Sequence, residues 1–119
     1  MKLKEDFCLK LFNTGDKVAK SAPEIAPEIR GAISIVQNPG IDMTAAQVER
    51  SLHEIMRICD ERRAYLSPVN TDRLYEVFNL LSEECGLSYR VNRTGWTTVA
   101  VGRDGTGISV KGLMSQLEA

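Results

Sequence analysis

The sequence predicts an α+β fold in which three to four N-terminal helices pack on one face of a C-terminal three-stranded antiparallel β-meander. Apolar residues recur at helical spacing through most of the first 86 residues. From Leu87 the period changes to two, and Asp104-Gly105 is a strong hairpin signal. Helices followed by strands are typical of α+β proteins. The length of 119 residues predicts one domain, with a helical part at 1–86, the meander at 87–111 and a short tail at 112–119.

The first two helices are predicted from apolar spacing and from the residues that interrupt it. Apolar residues predict a short helix over residues 3–12, at Leu3, Phe7 and Leu11. Residues 13–15, Asn-Thr-Gly, should end or bend this helix. A second helix is expected from the doubled unit at 22–29, because proline suits a first helical turn and the following glutamate favours the positive end of the dipole. Asn38-Pro39-Gly40 should stop it.

The central helix has the clearest signal in the chain. Thr44 and Gln47 have the spacing of a capping box, and Met43 and Val48 flank them as a hydrophobic staple. A helical apolar stripe follows, at Val48, Leu52, Ile55, Met56 and Cys59.

A further helix is expected over residues 70–86. Asn70 is the predicted N-cap, with Val69 and Leu74 as a second staple. Gly86 is predicted to follow the C-cap in a left-handed conformation, which costs glycine little. The apolar side of this helix comprises Leu74, Val77, Phe78, Leu81 and Cys85.

Three strands complete the prediction. Residues 87–91 alternate between apolar and polar side chains, and a turn is expected at 92–95. The β-branched run at 97–101 predicts the second strand, and residues 108–110 predict a short third strand. Residues 113–117 are expected to form a helical turn or to fray.

Composition argues against several classes of function, although it leaves a local basic patch open. The net charge of −1 argues against strong nonspecific attraction to nucleic acid or to an acidic membrane surface. The N-terminus lacks the apolar stretch of a signal peptide, and the longest apolar-rich run, residues 32–36, is too short to span a bilayer. The three cysteines are widely spaced and contain no CxxC pair, which indicates buried thiols and a reducing cytoplasm.

The two faces of the predicted sheet differ, and this difference indicates a binding surface. The face turned to the helices is expected to hold the apolar set Leu87, Tyr89, Val91, Val99, Val101, Ile108 and Val110. The other face would show Ser88, Arg90, Trp96, Thr98, Ala100, Ser109 and Lys111, with Arg93 and Arg103 in the turns. Residues 87–112 contain four basic side chains and one acidic side chain, whereas 64–86 contain one basic and four acidic. The predicted partner-binding residues are Arg90, Arg93, Trp96, Thr98, Arg103 and Lys111.

This surface has three interpretations. A lone Trp among arginines and small residues suits a protein-binding hot spot. Aromatic and basic residues on a sheet also suit stacking of single-stranded nucleic acid. Alternatively, Trp96 covers the rim of the core or meets the C-terminal tail. A winged helix that reads DNA is disfavoured, because the helix at 70–86 would present one arginine and four acids to the phosphates.

No pattern of residues indicates a metal, a cofactor or a catalytic centre. A Cys₃His zinc site from Cys8, Cys59, Cys85 and His53 is disfavoured, because zinc sites usually contain closely paired ligands. The glycine-rich run at 102–107 lies between strands and lacks the lysine and helix of a phosphate-binding loop. A small enzyme stays open as a third class, and it predicts a deep pocket lined by ionisable groups with shifted pKa values.

The sequence therefore predicts a small, non-enzymatic cytoplasmic protein that binds another protein as a regulator, an inhibitor or an accessory subunit. The contact surface centres on Trp96. A homodimer is a further expectation, because an uncovered apolar flank favours one on a small chain. The rival is a nucleic-acid-binding module that uses the same residues. No cofactor and no membrane partner are expected.

Overall fold

The computed structural model describes residues 1–118, and it confirms the α+β arrangement. The α-helices are α1 (Glu5–Ser21), α2 (Ala26–Ala32), α3 (Ala45–Glu61), α4 (Pro68–Glu84) and α5 (Val110–Glu118). The strands are β1 (Arg90–Thr94), β2 (Thr97–Val101) and β3 (Gly107–Ile108), and 3-10 turns lie at Pro23–Ile25, Ser34–Gln37 and Arg63–Tyr65. None of the helices described in 1–118 combines the length and the apolar character that crossing a bilayer requires.

The helices pack on one face of an antiparallel sheet with the strand order β1-β2-β3. α4 contacts β1, α5 contacts β2, and α3 packs against both of these helices. α1 and α2 form the layer beyond them. The core lies between these elements, and its largest fully buried side chains include Leu11, Ile29, Leu52, Ile55, Phe78 and Tyr89.

Two predicted helix ends are confirmed in detail. Thr44 Oγ1 accepts a hydrogen bond from the Gln47 backbone N–H at 3.2 Å, and Gln47 Oε1 accepts from the Thr44 N–H at 2.8 Å. At the end of α4, Gly86 has a φ of +70°. The N–H groups of Gly86 and Leu87 donate to the carbonyls of Glu83 and Ser82 in a Schellman motif.

Other helix boundaries differ from the prediction. α1 does not end at Gly15, because this glycine lets Ile33 pack directly against the helix: a Cβ at position 15 would lie 2.2 Å from Ile33 Cδ1. α4 begins at Pro68 instead of after Asn70, because Ser67 Oγ accepts from the Asn70 N–H at 3.1 Å and caps the helix. The predicted second helix is not continuous: α2 forms its middle part, and a 3-10 turn lies before it and another after it.

The register of the hairpin corrects the predicted faces of β2. Val91 pairs with Ala100 and Arg93 pairs with Thr98, so Ala100 and Thr98 face the helices. Val99, predicted to be inward, is 51% exposed on the outer face. The connection between β1 and β2 has two residues, Gly95 and Trp96, and not the four expected at 92–95. Since strand residues alternate between the faces, a register shift of one residue exchanges the faces of β2.

The third strand is shorter than predicted because a helix begins directly after it. β3 ends at Ile108, and Ser109 Oγ accepts from the Gly112 N–H at 3.0 Å as the N-cap of α5. Val110 and Lys111 therefore lie on a helix and not on the meander. The expected tail at 112–119 is helical as far as Glu118. Leu113 and Leu117 bury its inner side.

Asn79 covers part of the free edge of β1. Its Nδ2 donates to the Val91 carbonyl and its Oδ1 accepts from the Val91 N–H, both at 2.8 Å. Val91 is fully buried, so water cannot replace the Asn79 side chain as the partner of these backbone groups. One side chain thus provides hydrogen-bond partners for both free backbone groups of Val91, and it blocks the addition of another strand at this point.

The substitution Asn79→Ala is expected to lower the free energy of unfolding by about 1–3 kcal/mol, because it leaves a buried backbone N–H and C=O without partners. Chemical denaturation measures this change. Asn13→Ala is the matched control, since Asn13 is exposed within α1 and its removal should change stability by less than about 0.5 kcal/mol. Equal effects of the two substitutions would contradict the assigned role of Asn79.

Glu28 links α2 to α3, and this link predicts a pH dependence of stability. Arg62 Nε donates to Glu28 Oε1 at 3.0 Å and Arg57 Nη2 donates to Oε2 at 3.1 Å, and these bonds hold the pKa of Glu28 below its usual value. In acid, the native state then binds fewer protons than the unfolded state. The stabilisation by the Glu28 ion pairs is therefore present above the unfolded pKa of 4.5, and it is lost as the pH falls through the lower pKa of the folded state. Unfolding midpoints of the wild type and Glu28→Gln should differ at pH 6 and converge in acid. A constant difference across this range would contradict the linkage.

Candidate functional site

The candidate site is built around the turn that joins β1 to β2. Thr94 pairs with Thr97, so Gly95 and Trp96 alone form the loop. Gly95 has a φ of +63° and Trp96 does not have a positive φ, which is the pattern of a type II′ turn. This turn places the indole of Trp96 away from the core, and the residue is 96% exposed. The interpretation in which Trp96 covers the core rim is therefore wrong.

Arg93 ties this turn to α4. Its Nη1 donates to the Gly95 carbonyl at 2.7 Å, while Nε and Nη2 donate to the two carboxylate oxygens of Asp72 at 3.0 and 2.8 Å. A two-pronged bond between a guanidinium and a carboxylate fixes direction as well as distance. The base of the Trp96 turn is thus held at a defined place beside α4.

An apolar groove lies beside the indole. It has a volume of about 320 Å³ and runs between the end of α3, the start of α4 and the hairpin. Its apolar lining consists of Met56, Cys59, Leu66, Pro68, Tyr75 and Val110, with Trp96 on the hairpin side. We call this groove together with Trp96 the Trp96 surface.

The charged groups at the groove are paired within the chain. Arg63 Nη2 lies 3.0 Å from Asp60 Oδ1, and Arg93 Nη2 lies 2.8 Å from Asp72 Oδ2. Three of these side chains line the groove, and Asp72 adjoins it through Arg93. The Trp96 surface therefore combines an apolar lining with two balanced ion pairs, and we call the four side chains of these pairs its rim.

Two ionisable groups in the groove, the Cys59 thiol and the Tyr75 hydroxyl, have raised pKa values. Burial, together with the charge of Asp60, raises the pKa of the Cys59 thiol to about 12, so this thiol stays protonated at neutral pH. Burial also raises the pKa of Tyr75, whose hydroxyl lies 3.5 Å from Thr98 Oγ1. At this long distance both hydroxyls keep capacity to bond to an incoming group.

The structure brings three of the six predicted site residues together. Arg93, Trp96 and Thr98 line the groove. Thr98 does so from the helix-facing side of β2, which corrects its predicted place on the outer face. Arg90 lies on the outer face and Lys111 lies in the first turn of α5, both exposed and outside the groove lining.

Arg103, predicted to belong to the contact surface, is outside the groove lining and bonds to three residues of its own chain. Its Nε donates to the Tyr89 hydroxyl at 2.9 Å and its Nη2 donates to the Gln116 carbonyl at 2.9 Å. Glu49 completes the cluster, accepting from the Tyr89 hydroxyl and lying 3.3 Å from Arg103 Nη2. Arg103 thus joins the β2–β3 connection to α3 and α5.

The potential zinc ligands are not assembled. His53 Nε2 lies 3.2 Å from Glu118 Oε1 and Nδ1 lies 3.7 Å from Glu54 Oε1, whereas Cys59 belongs to the groove. Within residues 1–118, no group of three His, Cys, Asp or Glu side chains is arranged to hold a metal ion.

Sequence reasoning missed the helix side of the groove. Met56, Leu66 and Tyr75 come about 20–40 positions before Trp96, and each is an ordinary core-type residue. No local pattern pairs Asp72 with Arg93. The cue that was available is Ser67-Pro68, which marks the start of α4 and hence the corner where the groove opens.

Comparisons of this chain with protein-family models, with curated proteins and with solved structures found no match. The geometry of the Trp96 surface is therefore the basis for its interpretation.

Removal of the Arg93 tether should loosen the Trp96 turn. Trp96 is the only tryptophan in the chain, so intrinsic fluorescence reports this turn alone. We expect Arg93→Gln to lower the steady-state fluorescence anisotropy, because the Gly95 carbonyl and Asp72 both lose a donor. Arg90→Gln removes an arginine from the outer face of the same strand and should leave the anisotropy unchanged. An unchanged anisotropy in Arg93→Gln would contradict the tether.

Proposed function

We propose that this protein is a non-enzymatic protein-binding module, acting as a regulator, an inhibitor or an accessory subunit, and that the Trp96 surface is its contact site. The observation that carries the proposal is the 96% exposed indole on a tethered two-residue turn beside an apolar groove. An exposed apolar patch bordered by polar residues marks an interaction site more often than a single exposed apolar side chain does, and here the indole and the groove lie together.

The energetics of burying the indole support this proposal. A tryptophan buries about 150–250 Å² in an interface, which corresponds to a gross gain of roughly 4–6 kcal/mol at about 25 cal/mol per Å². Tryptophan is also enriched among the residues that dominate binding energy. The Arg93–Gly95 and Arg93–Asp72 bonds hold the turn before contact, so less conformational entropy is lost on binding.

The charge arrangement favours a protein over a nucleic acid as the partner. The guanidinium groups of Arg63 and Arg93 already bond to carboxylates. A nucleic-acid site requires cations that face phosphate, and binding there releases counterions. The paired rim instead resembles the polar ring that excludes water around the centre of a protein interface.

The proposal is tested by light-induced capture. A photoreactive amino acid at Thr97, next to the indole, should cross-link one protein other than a second copy of this chain from an extract of the cells that produce it. Capture should fall at least about tenfold in the Trp96→Ala background, because truncation removes the central contact.

Two controls make the capture specific. The same photoreactive group at Leu9, an exposed apolar position on α1 that contributes nothing to the groove, should give no such adduct. Nuclease treatment and about 0.5 M salt should leave capture at Thr97 intact, because the contact is apolar. Capture that survives Trp96→Ala, or that nuclease abolishes, would overturn the proposal.

A further inference from the structure

We propose that the Trp96 surface also pairs two copies of this chain, with each indole seated in the groove of the other copy across a two-fold axis. This inference rests on the proposed function in assigning contact to that surface, but it does not need the second protein. Self-pairing would cover the surface and compete with the partner for it.

The Trp96 surface contains both halves of a reciprocal contact. In a two-fold interface the same patch is used twice, so that residue i meets residue j and j meets i. Here the projecting half is the indole, which is almost entirely in water, and the receiving half is the adjacent groove of about 320 Å³. That volume lies within the range of sites that enclose small ligands, and an indole is at the small end of such ligands.

The charges of the rim fit a contact between identical surfaces. A patch that meets its own copy meets its own net charge, and like charges facing each other across an interface oppose binding. The rim balances two carboxylates, Asp60 and Asp72, against two guanidiniums, Arg63 and Arg93. The outer sheet face lacks this balance, because Arg90 is its only charged side chain on β1 and β2.

The exposed apolar residues around the groove extend the contact area. A stable interface buries about 800 Å² on each partner, a substantial part of the 6591 Å² that this chain exposes. Tyr65 and Val69 adjoin the groove residues Leu66 and Pro68 in sequence, and they are 51% and 57% exposed. Together with the groove and the indole they add apolar area of the kind that marks interfaces.

Self-pairing is tested on the purified protein by sedimentation and fluorescence. Raising the concentration should move the mass from 13.2 kDa to twice that value, and it should shift the Trp96 emission to shorter wavelength as the indole leaves water. Trp96→Ala should weaken self-association by about thirtyfold or more, as expected for a central contact residue. Leu9→Ala should leave it unchanged.

A mixing experiment tests the charge balance. Asp60→Lys gives the rim a net positive charge and Arg63→Glu gives it a net negative charge, so each variant alone should dimerise more weakly than the wild type. An equimolar mixture of the two should recover dimerisation, because opposite rims then meet.

A chain that stays monomeric up to about 1 mM would overturn this inference. So would a dimer that persists in Trp96→Ala, or mixed variants that pair no better than either alone. None of these results bears on the proposed function, which the capture from Thr97 tests separately. Conversely, failure of that capture beside a Trp96-dependent dimer would leave self-pairing standing.

Discussion

The length of one turn determines the arrangement of the whole C-terminal part of this protein. Gly95 and Trp96 alone connect β1 to β2. Each odd-numbered residue of β1 therefore pairs with an even-numbered residue of β2. Val91 therefore shares the helix-facing side with Ala100, and both are buried. The same rule places Thr98 at the groove and Trp96 at the tip, in water. A loop with one residue more or fewer would turn Val99 inward and exchange the faces of β2.

The hairpin is held on α4 by a polar stripe of that helix. Asp72, Tyr75 and Asn79 follow one another at intervals of three and four positions and so lie on one face of α4. In that order they contact Arg93, Thr98 and Val91 of the hairpin. Apolar burial of Val91 and Ala100 holds the sheet against the helices, while the directional bonds of Asp72 and Asn79 determine where the turn lies. The exposed indole is thus carried by a fixed support, as a preorganised binding site requires.

The features that the sequence predicted correctly depend on neighbouring residues. The capping box of Thr44 and Gln47 and the left-handed Gly86 have all their partners within a few positions, so local chemistry was sufficient. The incorrect predictions depend on competition between local signals or on distant contacts. Ser67 outcompeted Asn70 as the cap of α4 because Pro68 suits the first turn. Gly15 stays helical because Ile33 packs over it.

In the candidate site too, local features were predictable from the sequence and features that depend on distant contacts were not. Trp96 and Arg93 lie in one short segment, and the sequence pointed to both residues but left open whether the indole is exposed or covered. The groove required the hairpin register and the position of α4, neither of which has a local signal. The contacts of Arg103 with Tyr89, Glu49 and Gln116 had no local signal either, because these partners come together only in the fold.

The register of the hairpin is tested most directly by proton NMR. Because the Val91 backbone groups point to Asn79, Val91–Ala100 and Arg93–Thr98 are non-hydrogen-bonded pairs, in which the Cα atoms of opposite residues approach to about 4.5 Å. The account predicts strong Hα–Hα Overhauser contacts for these two pairs. A strong Hα–Hα contact between Val91 and Val99 in their place would contradict it, because the faces of β2 would then be exchanged.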